Sequence, residues 1–184
     1  MLVLHYDITS LAATVAALRL QRIADAGGTV RFQGIDVLGV EASLPVTLDQ
    51  LEELERWTDR AEDLGLVVHR PSVRPPTLPA HLVGVLARRS ELGAAWRDAV
   101  FRAYWTDGEA IDQPELLRDL AAGIGLAGDE VLGALADPKA RMSLRQRMTA
   151  DRSRGIGGVP VLELDGTFVP AELSDEDLRQ LAGL

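Results

Sequence analysis

The sequence predicts an α/β fold in which the two ends of the chain build one sheet around an all-helical middle. Three observations carry this. The N-terminal stretch reads strand, helix, strand. Near the other end, Val161 to Leu164 and Thr167 to Val169 flank Asp165-Gly166, a pair that supplies the two positive φ angles of a tight hairpin turn. Between them, apolar residues recur at helical spacing and prolines interrupt them.

Taken in order, Leu2 to Tyr6 is a short β-type run, and Asp7-Ile8-Thr9-Ser10 hands over to a helix from about Leu11 to Ala26. Leu11, Val15 and Leu18 repeat at helical spacing, and Gly27-Gly28 ends the helix where positive φ is cheap. Thr29 to Val37 alternates Val30 and Phe32 against Arg31 and Gln33, which predicts a second strand. A right-handed crossover of this length places the two strands parallel, and the C-terminal hairpin then adds antiparallel.

In the middle, Thr47 and Gln50 stand in capping-box positions ahead of a helix to Leu64, with Leu48, Leu51, Leu54 and Trp57 on one face. Leu66 to Val68 reads as extended. Pro71, Pro75, Pro76 and Pro79 then make an extended connector, because each fixes φ and restrains its predecessor. Helices are expected at about Ala80 to Arg89, Leu92 to Trp105, Pro114 to Ala122, Asp129 to Ala136 and Pro138 to Arg154. Pro160 must head its strand or lie at a margin, since it cannot donate to a ladder. Ser174 caps a last helix whose first turn is acidic. The predicted division is residues 1–45 and 155–184 as the sheet domain and 46–154 as the helical insert.

Composition narrows the function classes. A net charge of −9 and the lack of any Lys/Arg run oppose nucleic acid and anionic membranes as partners. No stretch is apolar enough to span a bilayer, and Met1 to Tyr6 lacks an export signal's pattern, so a cytoplasmic protein is expected. The chain has no cysteine, which removes disulfides, thiolate metal sites and thiol redox cycling by its own side chains. His5, His69 and His81 are dispersed and predict structural or surface roles and no metal site. Phe101, Tyr104 and Trp105, at helical spacing, predict core.

The order of elements, with Gly158-Val159-Pro160-Val161 leading the hairpin and Phe101-Arg102-Ala103-Tyr104-Trp105-Thr106-Asp107-Gly108 in the insert, resembles the DsbA-like branch of the thioredoxin fold. That branch holds DsbA-type oxidoreductases, kappa-class glutathione transferases and 2-hydroxychromene-2-carboxylate isomerases, and the resemblance covers nearly the whole chain. It implies a thioredoxin-like domain with the proline matching Pro160 in the cis form, facing the turn at Ser10. The redox members begin a C-P-x-C motif where this chain reads Ser10-Leu11-Ala12-Ala13. In the isomerase and transferase members a serine at this place hydrogen-bonds the thiol of bound glutathione. Ser10 matches that serine, but Leu11 and Ala12 do not continue the S-P-aromatic pattern, and Val169-Pro170-Ala171-Glu172-Leu173 replaces W-G-x-D-R.

From chemistry alone, Ser10 is first an N-cap; a helix N-terminus with a hydroxyl donor also suits an anion such as a thiolate. Asp7 reads as a solvated acid or turn former that can orient a donor at this turn, although a carboxylate works against a nearby thiolate. Arg152 and Arg154 read as a solvated helix end, with carboxylate binding the sharper alternative. Two functions follow. One is a catalytically silent member that binds a peptide or protein in the cleft formed by Asp7, Thr9, Ser10, Val159 and Pro160. The other is a thiol-dependent isomerase or transferase in which Ser10 is catalytic and the cofactor is a small thiol such as glutathione or mycothiol, its peptide part bonded by the Val159 backbone. The missing pattern elements favour the first.

Overall fold

The computed structural model describes residues 1–184. Strands β1 (Leu2–Tyr6) and β2 (Val30–Gly34) pair in parallel, joined by helix α1 (Leu11–Asp25). Strand β5 (Val161–Leu164) joins β1 antiparallel, and β6 (Thr167–Val169) closes the sheet in the order β2-β1-β5-β6. The β5–β6 turn carries positive φ at both Asp165 (48°) and Gly166 (87°), the geometry for which Asp-Gly is suited. Helix α8 (Asp175–Leu181) follows, capped by the Ser174 hydroxyl, which accepts from the Asp177 amide at 3.1 Å. Arg19 of α1 ties this end down by donating to Asp175 and to the Leu173 carbonyl.

The middle holds six helices: α2 (Leu48–Asp63), α3 (Leu78–Arg89), α4 (Gly93–Trp105), α5 (Pro114–Gly123), α6 (Gly128–Ala136) and α7 (Pro138–Ser153). Helix α3 starts two residues earlier than the sequence predicts, because Pro79 is tolerated in the first turn, where its missing N–H is not needed. Strand β2 ends at Gly34, three residues short of the predicted Val37. Leu66 to Val68 has no regular structure, and a small ladder forms instead between β3 (Leu44–Pro45) and β4 (Val73–Arg74). No helix is long and apolar enough to cross a membrane.

All five residues of β1 are buried, since the strand lies between two others in the sheet. Its Leu2 and Leu4 join one apolar cluster with Leu11 and Leu20 of α1, Leu162 of β5 and Trp96, Phe101 and Trp105 of α4. The sheet and the helical section thus share a continuous core, and the turn leaving β1 rests on it.

Candidate functional site

The turn from β1 into α1 is fixed from below. The Trp105 indole N–H donates to the Ile8 carbonyl (3.0 Å) and to the Thr14 hydroxyl (3.1 Å), while the Ser10 amide donates to the Asp7 carbonyl (3.3 Å). Phe101, Tyr104 and Trp105 are core, and Trp105 also sets the height of this turn.

Asp7 is not a solvated acid; it is 1% exposed. Its carboxylate accepts from the Val37 amide (2.9 Å) and faces Nε2 of His81 on α3 (3.4 Å). Burial alone pushes its pKa up, but the hydrogen bond and charge of His81 together with the Val37 amide outweigh this and hold it below the ordinary carboxylate value. The ring reaches Asp7 because residue 34 is glycine: a Cβ there would lie 2.1 Å from His81 Nδ1. Asp7 therefore holds the strand ends together from inside the fold. Asp36, buried near it, is shifted the opposite way, its pKa raised by burial and by the Asp7 charge despite a hydrogen bond from the Gly39 amide.

Ser10 is the N-cap of α1, its hydroxyl oxygen accepting from the Ala13 amide at 3.3 Å. The same hydroxyl donates at 2.7 Å to Oε1 of Glu53 on α2, and the Ala12 amide donates to that oxygen at 2.8 Å. One carboxylate oxygen thus takes both a side-chain donor and a free backbone donor at the positive end of the α1 dipole, where an anion is most favoured. Thr9 is buried beside it, its hydroxyl accepting from Nε of Arg74 in β4 (3.2 Å). Glu53 and Arg74, both from the helical section, cover the turn with opposite charges.

Val159 and Pro160 are half-buried and joined by a cis peptide bond. Since His5 pairs with Val161, Pro160 falls at the end of β1 from which the Ser10 turn departs. The structure brings Thr9, Ser10, Val159 and Pro160 to one end of the sheet and turns Asp7 inward. No backbone hydrogen bond outside the regular elements engages Val159. The larger cavities of the molecule are lined by other residues than Ser10, Glu53 and Pro160.

The remaining histidines are structural. His5 is buried on β1 with Nε2 3.0 Å from Glu163, whose pKa is lowered first by that hydrogen bond and then by Arg154. Arg154 is spent on Glu163 and Asp151, so it offers no free charge to an acidic ligand. His69 is exposed and bonds the Thr106 carbonyl. No three acidic or imidazole side chains converge as a metal site would need.

Sequence reasoning missed Glu53, Arg74 and His81. Each meets its partner across a long stretch of sequence: Glu53 is 43 residues from Ser10, Arg74 is 65 from Thr9 and His81 is 74 from Asp7. The one available signal was the Thr47/Gln50 helix start, which sets where α2 begins and hence which acid reaches α1; the Thr47 amide does donate to Gln50 Oε1 (3.0 Å).

With this geometry in view, the model of the DSBA-like thioredoxin domain family matches residues 3–181. A probable DsbA oxidoreductase from Streptomyces coelicolor superposes with a TM-score of 0.82 at 25% identity, over 99% of this chain and 89% of its own. A 2-hydroxychromene-2-carboxylate isomerase shares the fold with a TM-score of 0.77 at 21% identity, over 98% and 91% of the two chains. The cytosolic disulfide reductase DsbM from Pseudomonas aeruginosa, solved with GSH, does so with a TM-score of 0.70 at 18% identity, over 97% and 95%. No curated protein matches the chain. The chain belongs to the DSBA-like thioredoxin domain family.

Proposed function

We propose that this cysteine-free member of the DSBA-like thioredoxin domain family is a catalytically silent binding protein that holds an extended peptide or protein segment at the Val159–Pro160 end of the sheet. Thiol–disulfide exchange needs an attacking thiolate and a second sulfur to complete the cycle, and the chain has neither. The observation that carries the reading is the Glu53 carboxylate at the α1 N-terminus, bonded by Ser10 and Ala12. A bound thiolate at this place would have to displace a carboxylate already holding both donors, and two anions on one seat repel. The unpaired backbone at Val159 supports the peptide part, because an extended segment gains affinity through main-chain hydrogen bonds. A cytoplasmic setting fits this reading, as the DsbM relative is described as cytosolic.

A second reading rests on the same donors. If Glu53 swings aside, the Ser10 hydroxyl and Ala12 amide present a seat for the thiolate of glutathione or mycothiol, and the chain becomes a thiol-dependent isomerase or transferase like its structural neighbour. Thermal melts with each thiol separate the two, since a ligand at about 100 times its Kd stabilises the native state by ~2.7 kcal/mol. The silent reading expects no shift in the wild type and no insulin reduction above the uncatalysed dithiol rate. A wild-type shift that disappears in Ser10→Ala would overturn it in favour of the thiol enzyme.

A further inference from the structure

The largest unassigned feature is a cavity of about 630 Å³ between α7 and the segment after β2, separate from the Ser10 turn. Helix α7 presents Arg141, Arg145, Met148, Thr149 and Arg152 to it; these recur at helical spacing and so form one face. The cavity meets a second of about 450 Å³ that shares Arg141, Arg145 and Thr149. Its volume lies within the range of small-molecule sites.

The guanidinium groups show what chemistry the cavity takes. Arg141 and Arg145 both donate to one oxygen, Oε1 of Glu41, so the pair already converges on a carboxylate. Glu41 is an exposed occupant: its side chain is 65% accessible, on the irregular segment between β2 and β3. An ion pair in that setting is worth little, and an incoming anion replaces it at small cost. Arg152 lies further along the face and donates to the Asp36 carbonyl, a neutral acceptor, with no carboxylate paired to it. Two acids besides Glu41 line the cavity. Asp36 is buried, accepts from the Gly39 amide and is pushed toward its protonated form, whereas Asp112 accepts from the Gln113 side-chain amide. Leu78, Pro79 and Met148 supply an apolar wall.

We propose that this cavity binds a small organic dicarboxylate with an apolar spacer. One carboxylate replaces Glu41 between Arg141 and Arg145, the second meets Arg152, and the spacer lies against Leu78 and Met148. Arginine suits this role because its planar fork pairs a carboxylate through two parallel N–H bonds.

Isothermal titration with adipate, hexanoate and inorganic phosphate tests the assignment on the whole chain. Adipate is expected to bind the wild type, to bind Glu41→Gln about two- to fivefold more tightly as the internal competitor is lost, and to bind Arg145→Gln at least about tenfold more weakly. Hexanoate should bind more weakly than adipate, and Arg152→Gln should erase that difference. Arg145 is about half exposed, so its substitution leaves the fold intact, which the melting curve checks. Independently of any variant, adipate should perturb the amide resonances of residues 39–41 and 145–152 in the wild type. The proposal fails if adipate does not bind even Glu41→Gln, if Arg145→Gln leaves its affinity unchanged, or if phosphate binds as tightly as adipate.

Discussion

Glu53 and Glu41 each gather two donors on a single carboxylate oxygen, one at the N-terminus of α1 and the other on the open face of α7. The difference lies in the surroundings. Glu53 bonds a partly buried hydroxyl and a backbone amide at the turn that Trp105 anchors from below, whereas Glu41 bonds guanidinium groups that reach into solvent. Asp7 marks the buried limit of the same series. Depth thus decides whether a built-in carboxylate is part of the fold or a placeholder, because removing one partner of a buried pair leaves the other without water or counter-charge.

The largest effect tests the deep end. Asp7→Ala leaves the Val37 amide and His81 without their shared acceptor and should cost roughly 3–5 kcal/mol, read from the urea midpoint. The pH dependence fixes the sign. Because the native pKa of Asp7 lies below its ordinary value of 3.8, its stabilisation is complete above that value and is lost as pH falls through the lower native one. The penalty of Asp7→Ala should therefore shrink from pH 6 towards pH 3. Asp36 has the reverse sign: its raised native pKa favours the protonated form, so its share of stability is present below 3.8 and is lost as pH rises through the native value. Asp36→Asn should gain on the wild type between pH 3 and pH 6, and equal slopes for the two variants would show that the buried acids do not differ as described.

An intermediate effect is expected at Glu53. Glu53→Ala removes two charge-assisted hydrogen bonds at a part-buried site that water can partly refill, so the loss should be about 1–3 kcal/mol. Ser10→Ala removes the cap as well as one of those donors and should cost about 1 kcal/mol or somewhat more. The two changes share a contact, so the double variant should cost less than their sum. Additive losses would mean that Glu53 stabilises α1 through Ala12 alone.

The same contrast in depth separates what was legible in the sequence from what was not. The parallel β1–β2 pair, the Asp165-Gly166 turn and the start of α1 at Ser10 follow from nearby signals: alternation across a short crossover, turn chemistry and a capping residue. The β3–β4 ladder has no such signal, since two residues per strand cannot show alternation, and the proline-rich connector that holds Arg74 predicts extended backbone but no pairing partner. Glu53 was hidden among its neighbours Glu52 and Glu55, and only the packing of α2 on α1 singles it out. His81 shows no local signal at all; its role depends on Gly34 making room for the ring. Arg152 was visible as a cation at a helix end, but its partner is a backbone carbonyl, which no residue pattern reveals.

The smallest effect belongs to Glu41, and it tests whether exposure alone makes a carboxylate replaceable. The hydrogen bonds from Arg145 and Arg141 hold its pKa below the usual range, so the ion pair is intact at neutral pH. Even so, the pair is screened by water and costs side-chain freedom to form, and these offset most of its attraction. Glu41→Gln is therefore expected to leave the melting midpoint unresolved from the wild type at physiological salt, with at most a small loss emerging at low salt. A clear loss of stability would place Glu41 with Glu53 as a structural carboxylate, and the α7 face would then be a closed ion-pair network with no seat to offer. An unchanged midpoint combined with tighter adipate binding would instead separate stability from affinity at one residue, which Glu53, bonded to a backbone amide, cannot do.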